Sequence, residues 1–225
     1  MINAKTLRKI FSIGIVNTIK MNYKYFGIKG VRYFYILASK NLNIIDLNGT
    51  IEFRGGRPSF GCIKIGFECA DVCDYKYERS IWQNTGKIVV KDTVFLGSGF
   101  RLSNSGEVIF GSNFCNTANC TVICKKKISF GNHNLIAWDV QIMDCDMHSI
   151  YDISDPDNCI NEDKEIRIGD NVWIGCRATI LKGSIIGNNN IVAACSLISG
   201  KGELAENAIV GSYYNVIRKG VFWKE

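Results

Sequence analysis

Residues 168–215 decide the fold and read in sixes: IGDNVW, IGCRAT, ILKGSI, IGNNNI, VAACSL, ISGKGE, LAENAI, VGSYYN. An aliphatic residue opens every block: Ile168, Ile174, Ile180, Ile186, Val192, Ile198, Leu204 and Val210. The second slot is mostly Gly or Ala (Gly169, Gly175, Gly187, Ala193, Ala205, Gly211). The fifth is mostly small or β-branched (Val172, Ala178, Ser184, Ser196, Gly202, Ala208), with Asn190 the polar exception. A helical stripe recurs at three and four residues and a half-buried strand at two, so a sustained period of six needs another geometry. The hexapeptide β-helix supplies it, because each unit makes one short strand and one corner. The first-slot aliphatic then points into the prism core, and the fifth-slot side chain must be small to share that interior. Gly suits a tight corner because it tolerates backbone angles that a Cβ forbids.

The same phase extends upstream. One set runs Phe110, Asn116, Val122 and another Phe130, Ile136, Ile142, with steps of two between sets that mark insertions at corners. The basic run Lys125–Lys127 falls at such a step and reads as a solvated corner. The text IIDLNGTIEF and FGCIKIGFECADV predicts earlier, irregular coils from about residue 44. The largest break lies between Ile142 and Ile168, whose 26-residue spacing is not a multiple of six. Its text, MDCDMHSIYDISDPDNCINEDKE, is rich in Asp, Asn and Ser and contains Pro156, so a loop over about 143–167 must leave the prism. Binding and catalysis favour such loops on rigid scaffolds. After the last block, NVIRKGVFWKE is expected to form a short C-terminal helix or tail, with Phe222 and Trp223 free to pack on the prism. The predicted organisation is an N-terminal segment over 1–45 and an all-β, parallel β-helix domain over 46–225.

At 225 residues, 47% hydrophobic and 21% charged, the chain has globular composition and length for one well-buried core. Its ten cysteines include several inside the repeats (Cys120, Cys176, Cys195), where a reduced thiol behaves as a small hydrophobe. The closest spacings, Cys69–Cys73 and Cys115–Cys120–Cys124, contain no paired CxxC, so no metal is expected and a reducing cytoplasm is. The net charge of +6 is unevenly placed. Residues 1–45 hold eight cations (Lys5, Arg8, Lys9, Lys20, Lys24, Lys29, Arg32, Lys40) and no Asp or Glu, leaving 19 basic against 21 acidic residues elsewhere. That segment also carries Phe11, Tyr23, Tyr25, Phe26, Tyr33, Phe34 and Tyr35. Its apolar runs, Ile10–Val16 and Val31–Ala38, fall short of the ~20 residues a membrane span needs. Two readings remain: a cap over the open end of the β-helix, or an interfacial element meeting anionic lipid or a lipid-linked substrate. Nucleic acid is not an expected partner.

The chain has two histidines. His148 opens the predicted loop in Asp144-Cys145-Asp146-Met147-His148-Ser149, whereas His133 sits at a repeat corner in GNHNL. Histidine is the side chain best suited to take and return a proton near neutral pH, and Asp144 or Asp146 is near enough in sequence to fix its tautomer.

His148, the polar loop, and then Ile168-Gly169-Asp170-Asn171-Val172-Trp173-Ile174-Gly175 resemble the hexapeptide-repeat acyltransferases. That group includes galactoside, maltose and serine acetyltransferases and polysaccharide O-acetyltransferases. As a fold, the resemblance covers about residues 60–220. The text around Lys5-Thr6-Leu7 and Asn22-Tyr23-Lys24-Tyr25-Phe26 is similar more narrowly to bacterial capsule and lipopolysaccharide acetyltransferases. The resemblance implies a left-handed β-helix, a homotrimer with active sites between prisms, and acetyl-CoA as acyl donor. His148 matches the family's general base, which would activate an acceptor hydroxyl for direct attack on the thioester without an acyl-enzyme. Trp173 matches a tryptophan near the reacting groups, and Cys176 a small residue beside the pantetheine arm. Ala194 and Ser199 match positions lining the CoA channel. Arg218 matches a cation meeting CoA phosphates, with Lys219 adjoining. Asn116 and Asn119 fall where acceptor contacts are expected. Gly211-Ser212-Tyr213-Tyr214-Asn215 replaces the family's Gly-x-Pro-Ala-like turn and Ser199-Gly200 its Thr-Lys pair, so the adenine end is expected to be held differently.

The expected function is acetyl-CoA-dependent O-acetylation of a sugar or glycan precursor by a cytoplasmic enzyme, peripheral at the inner membrane face if the acceptor is lipid-linked. The same site could serve an amino sugar on a nucleotide. A non-catalytic scaffold is the rival of another class, but it has no need of His148 or its phase-breaking loop.

Overall fold

In the computed structural model, which describes residues 11–71, 73–200, 203–204 and 206–223, one chain winds three sheets of nine, seven and seven strands around a common interior. Lys5, Arg8, Lys9, the Lys5-Thr6-Leu7 text and Gly202 lie outside the described residues. The chain visits the sheets in strict rotation. Thr121–Cys124 of the second sheet is followed by Lys127–Phe130 of the third and Leu135–Ile136 of the first. Each strand up to Ala208–Val210 pairs in parallel with the strand one coil away, so the sheets form the faces of a triangular prism.

The registers give the length of each coil. Trp173 pairs with Ile191 and Ile191 with Ile209, so a coil there takes 18 residues, or three hexapeptides. Earlier, Arg101 pairs with Thr121 and Thr121 with Gln141, a coil of 20. The two extra residues sit between the second and third sheets. Ile180 and Ser184 bracket that corner in the short coils, whereas Leu102 and Val108 bracket it in the long ones. This accounts for the steps of two seen in the sequence.

The slots fill as the period requires. Ile168, Ile174, Ile180, Ile186, Val192, Ile198 and Val210 are all buried, as are the fifth-slot residues Val172, Ala178, Ser184, Asn190, Ser196 and Ala208. Buried Asn190 is satisfied by donating to Gly187 O at 3.1 Å and accepting from Ala208 N at 3.0 Å. The longer coils enclose more volume and take larger side chains: Phe110 and Phe130 stack at 5.5 Å, with Phe114 tilted against Phe130 at 4.7 Å.

Residues Ile15–Tyr33 form a helix, α1, broken at Gly27, whose φ of +61° favours glycine. Its buried side is polar where it meets Ile36–Ala38, the edge strand of the first sheet. Asn22 donates to Ile36 O at 2.7 Å and accepts from Ile36 N at 3.0 Å, while Thr18 Oγ1 accepts from Ala38 N at 3.1 Å. An open sheet edge is a template for unwanted pairing, and these side chains occupy it. Tyr25 reaches further in, its hydroxyl accepting from Trp82 Nε1 at 2.9 Å. Phe26, Tyr35 and Phe53 pack together beside it, so this helix caps the prism.

At the other end, where a short C-terminal helix or tail was expected, the chain forms a 3-10 turn over Ser212–Tyr214 and a strand, Val216–Lys219, antiparallel to Ala208–Val210. That strand covers the first sheet's last parallel edge, and the chain then returns so that Trp223 Nε1 donates to Asn171 O at 2.8 Å.

Candidate active site

His148 is exposed and lies on the loop that leaves the corner between the second and third sheets. Neither expected carboxylate orients its ring. Asp144 is fully buried, because its place in the coil turns its side chain inward. Its oxygens accept from the backbone N–H groups of Lys125 (2.7 Å), Lys126 (2.8 Å) and Lys127 (2.7 Å). Lys125–Lys127 therefore form more than a solvated corner: three consecutive amides converge on one carboxylate. Asp146 accepts instead from Lys182 Nζ at 2.6 Å and Asn161 Nδ2 at 2.8 Å.

Asn161 acts as the clasp of this loop. Its amide nitrogen also donates to His148 O at 2.8 Å, and its side-chain oxygen accepts from Ile150 N at 2.6 Å. Lys182 reaches Asn161 O at 2.6 Å, and Lys125 Nζ reaches Met147 O at 3.3 Å. The backbone carrying His148 is thus pinned from both sides of the loop. Hydrogen bonds from Lys182 and then Asn161 hold the Asp146 carboxyl below its ordinary value. A depressed carboxyl stabilises the fold above its unfolded pKa and loses that contribution as pH falls through the folded one, so the clasp persists at neutral pH. Sequence neighbours suggested Asp144 and Asp146, whereas the clasp comes from residues 13 and 34 positions beyond His148.

A second group of residues gathers on the first sheet. Trp173, Ile191, Ile209 and Arg218 occupy successive register positions, and Trp173 and Arg218 are exposed on the same face. Three strand spacings separate them, roughly 14 Å. Lys219 is likewise exposed, opposite Ala208. Cys176 and Ala194 follow Trp173–Ile174 and Ile191–Val192 at the same step of successive coils, where Cys195 N donates to Cys176 O at 2.9 Å. The coils approach closely there: a Cβ on Gly175 would lie 2.6 Å from Ala194 N. Ser199, exposed after Leu197–Ile198, stands one corner further round.

The acceptor asparagines divide. Asn116 is fully buried and donates to Ile136 O at 3.3 Å, so it belongs to the prism interior and cannot meet an acceptor. Asn119 is half-buried at the corner between the first and second sheets with a φ of +51°, but its side-chain oxygen is itself buried and, like that of Asn116, has no hydrogen-bond partner among the described residues.

The C-terminal return contributes a feature that repeat reading missed. Trp223 lies 6.4 Å from Trp173, and with Phe222 it walls a hollow of about 470 Å³ lined by Asn113, Cys115, His133 and Asn171. His133 Nδ1 is 3.4 Å from Asn113 Nδ2 in this hollow, at the corner between the third and first sheets. The hollow does not include His148, which leaves the prism from the corner opposite the first sheet. That Phe222 and Trp223 pack on the prism agrees with the expectation from the sequence, whereas the hollow they wall was not foreseen.

None of the ten cysteines is joined in a disulfide. Burial pushes the Cys120 thiol up, and burial followed by the charge of Asp144 does the same for Cys124. A buried thiol held neutral is a poor nucleophile. Among the described residues no group of three or more His, Cys, Asp or Glu side chains is arranged to hold a metal ion. No described helix is long and apolar enough to cross a membrane.

Three parallel sheets visited in rotation by hexapeptides, with an interrupting loop, form a β-helix, and its left hand is that of the hexapeptide family. The bacterial transferase hexapeptide (six repeats) pattern matches residues 165–200. The putative lipopolysaccharide biosynthesis O-acetyl transferase WbbJ of Escherichia coli (strain K12) is 30% identical over 148 residues, spanning 61% of this chain and 74% of that protein. The polysialic acid O-acetyltransferase of Neisseria meningitidis is 41% identical over 63 residues, 28% of this chain and 29% of that one. Among solved structures, the polysialic acid O-acetyltransferase OatWY aligns with a TM-score of 0.51 at 21% identity, covering 82% of this chain and 88% of that one. That likeness bears on the fold. The chain belongs to the hexapeptide-repeat acyltransferase family.

Proposed function

We propose that this enzyme transfers an acetyl group from acetyl-CoA to a hydroxyl of a sugar or glycan precursor, with His148 as general base. The observation that carries the reading is the exposed imidazole whose backbone is clasped by Asn161 on a phase-breaking loop, within a chain similar over most of its length to a putative lipopolysaccharide O-acetyltransferase. A freely moving surface histidine would need no such clasp.

Proton accounting is simple. His148 takes the acceptor hydroxyl proton as the oxygen attacks the thioester carbonyl, and a backbone N–H stabilises the oxyanion. When the C–S bond breaks, the imidazolium returns the proton to the departing sulfur. The balance is one new ester and one free thiol, with the histidine regenerated.

The first-sheet residues suit a CoA thioester. Trp173 and Arg218 share one face about 14 Å apart, and Ala194 and Cys176 keep the adjoining corner shallow. Arg218 and Lys219 supply exposed cations for phosphate, which a planar guanidinium can bind through two bonds at once.

His148 leaves from the corner between the second and third sheets, while Trp173 stands on the first, so one prism holds them on opposite sides. The two halves can meet only between copies, which supports a homotrimer with its sites at the interfaces. Exposed Ile150, Tyr151, Ile153 and Ile160 on the His148 loop give such a contact apolar surface.

The test is acetyl-CoA thioester loss, followed by ultraviolet absorbance or mass spectrometry, over sugars, amino sugars, nucleotide sugars and glycans. The expected result is turnover with a hydroxyl acceptor, reduced on the order of a hundredfold or more in His148→Ala. Equal rates in the two proteins would remove His148 from the mechanism. Turnover confined to amino acceptors would move the reading to N-acetylation, and absence of acetyl-CoA binding by calorimetry would move it to a scaffold.

A further inference from the structure

The capping helix buries one side against the first coil and leaves the opposite side bare. Thr18, Met21 and Asn22 are buried. Ile15 (70%), Ile19 (41%) and Tyr23 (63%), one turn apart, are exposed, and Val16 (78%) lies beside them. Lys20 and Lys24, also exposed, form the next stripe round the helix. Phe11, just before the helix, is exposed too. Bare apolar side chains on one face of a surface helix need an occupant.

Charge narrows the occupant. The first 45 residues carry eight cations and no carboxylate, while the rest of the chain nets −2. Lys20, Tyr23 and Lys24 also line a groove of about 420 Å³ with Ile44, Ile45 and Leu47, in which Asp46 is the one carboxylate among the lining residues. A second copy is a poor occupant, because a symmetric contact through this face would bring the same cations together. An aliphatic-aromatic stripe bordered by lysines instead matches the boundary between anionic headgroups and acyl chains. The helix cannot cross a bilayer, so it would lie in that boundary.

We propose that α1 docks this protein on an anionic lipid surface, inserting Ile15, Val16, Ile19 and Tyr23 while Lys20 and Lys24 meet the headgroups. Docking would hold the prism end-on at the bilayer. This rests on the capping helix alone and is independent of the chemistry assigned to His148.

The experiment is co-sedimentation of the full chain with vesicles of phosphatidylcholine, with and without phosphatidylglycerol. The full chain should partition onto the mixed vesicles and not the neutral ones, and release as salt rises. K20Q/K24Q should weaken that partition about thirtyfold, and I19S/Y23S should weaken it by at least tenfold. Both pairs replace exposed side chains, and an unchanged far-ultraviolet circular dichroism spectrum would verify the fold. Equal partition onto both vesicles, none onto either, or no change in the variants overturns the proposal. So does a loss of oligomeric state in I19S/Y23S with vesicle partition intact, which would make this face a subunit contact.

Discussion

The coils of 81–142 and those of 168–210 follow one plan with different lengths, and they differ at a single corner. The later coils take 18 residues and pass from Ile180 to Ser184 between the second and third sheets. The earlier ones take 20, and their extra residues place Asn104 and Cys124 inward at that same corner. Asp144 is next in this stack, 20 residues on from Cys124, whose thiol it accepts at 3.3 Å. Immediately after Asp144 the loop with His148 leaves the prism. Between residues 81 and 210 the chain therefore varies its length at the corner from which the His148 loop leaves and keeps to hexapeptide steps at the other two. A corner with room for a buried carboxylate is also one that can anchor a loop.

The largest effect expected from this contrast is in the interior. Phe130→Ala removes the centre of the aromatic stack in the long coils and should cost about 3–5 kcal/mol, while Ile186→Val in a short coil should cost about 0.5–1.5 kcal/mol. Urea unfolding of both variants would break the comparison if the costs were equal. Next comes the corner. Asp144→Ala strands three backbone N–H groups and should lower unfolding free energy by about 3 kcal/mol or more, with Asp144→Asn recovering part of it through its remaining acceptor oxygen. A smaller effect is expected at the clasp. Asn161→Ala should leave the unfolding midpoint nearly unchanged but lower kcat about tenfold, as His148 becomes free to wander. An unchanged kcat would show that the clasp does not position the histidine.

Much of the fold was legible because a prism interior imposes its period directly. Ile174, Val192 and Val210 recur in phase since each must fill the same cramped slot, and the eight residues from Leu102 to Phe110, against six from Ile180 to Ile186, mark the longer corner. His148 stood out because the phase breaks beside it. Its supports did not, since Asn161 and Lys182 reach it through the loop's return and the next coil, contacts that no local pattern encodes. Asn116 was misread for a related reason: at an in-phase slot, an asparagine joins the core and bonds the next coil's backbone. Between the helix and the tail left open for the C-terminus the sequence did not reveal the strand, which forms because the last parallel strand leaves an edge whose backbone it pairs.

The central claim is that His148 and Trp173, on opposite sides of one prism, form a single site between neighbouring copies. Complementation tests it most directly. His148→Ala and Trp173→Ala proteins are prepared separately, mixed, and allowed to exchange subunits, with exchange verified by native mass spectrometry. Each alone should be nearly inactive, and random mixed trimers should recover turnover at about a quarter of the sites, those joining an intact His148 to a neighbour's intact Trp173. Verified exchange with no recovered turnover would contradict a site shared between copies.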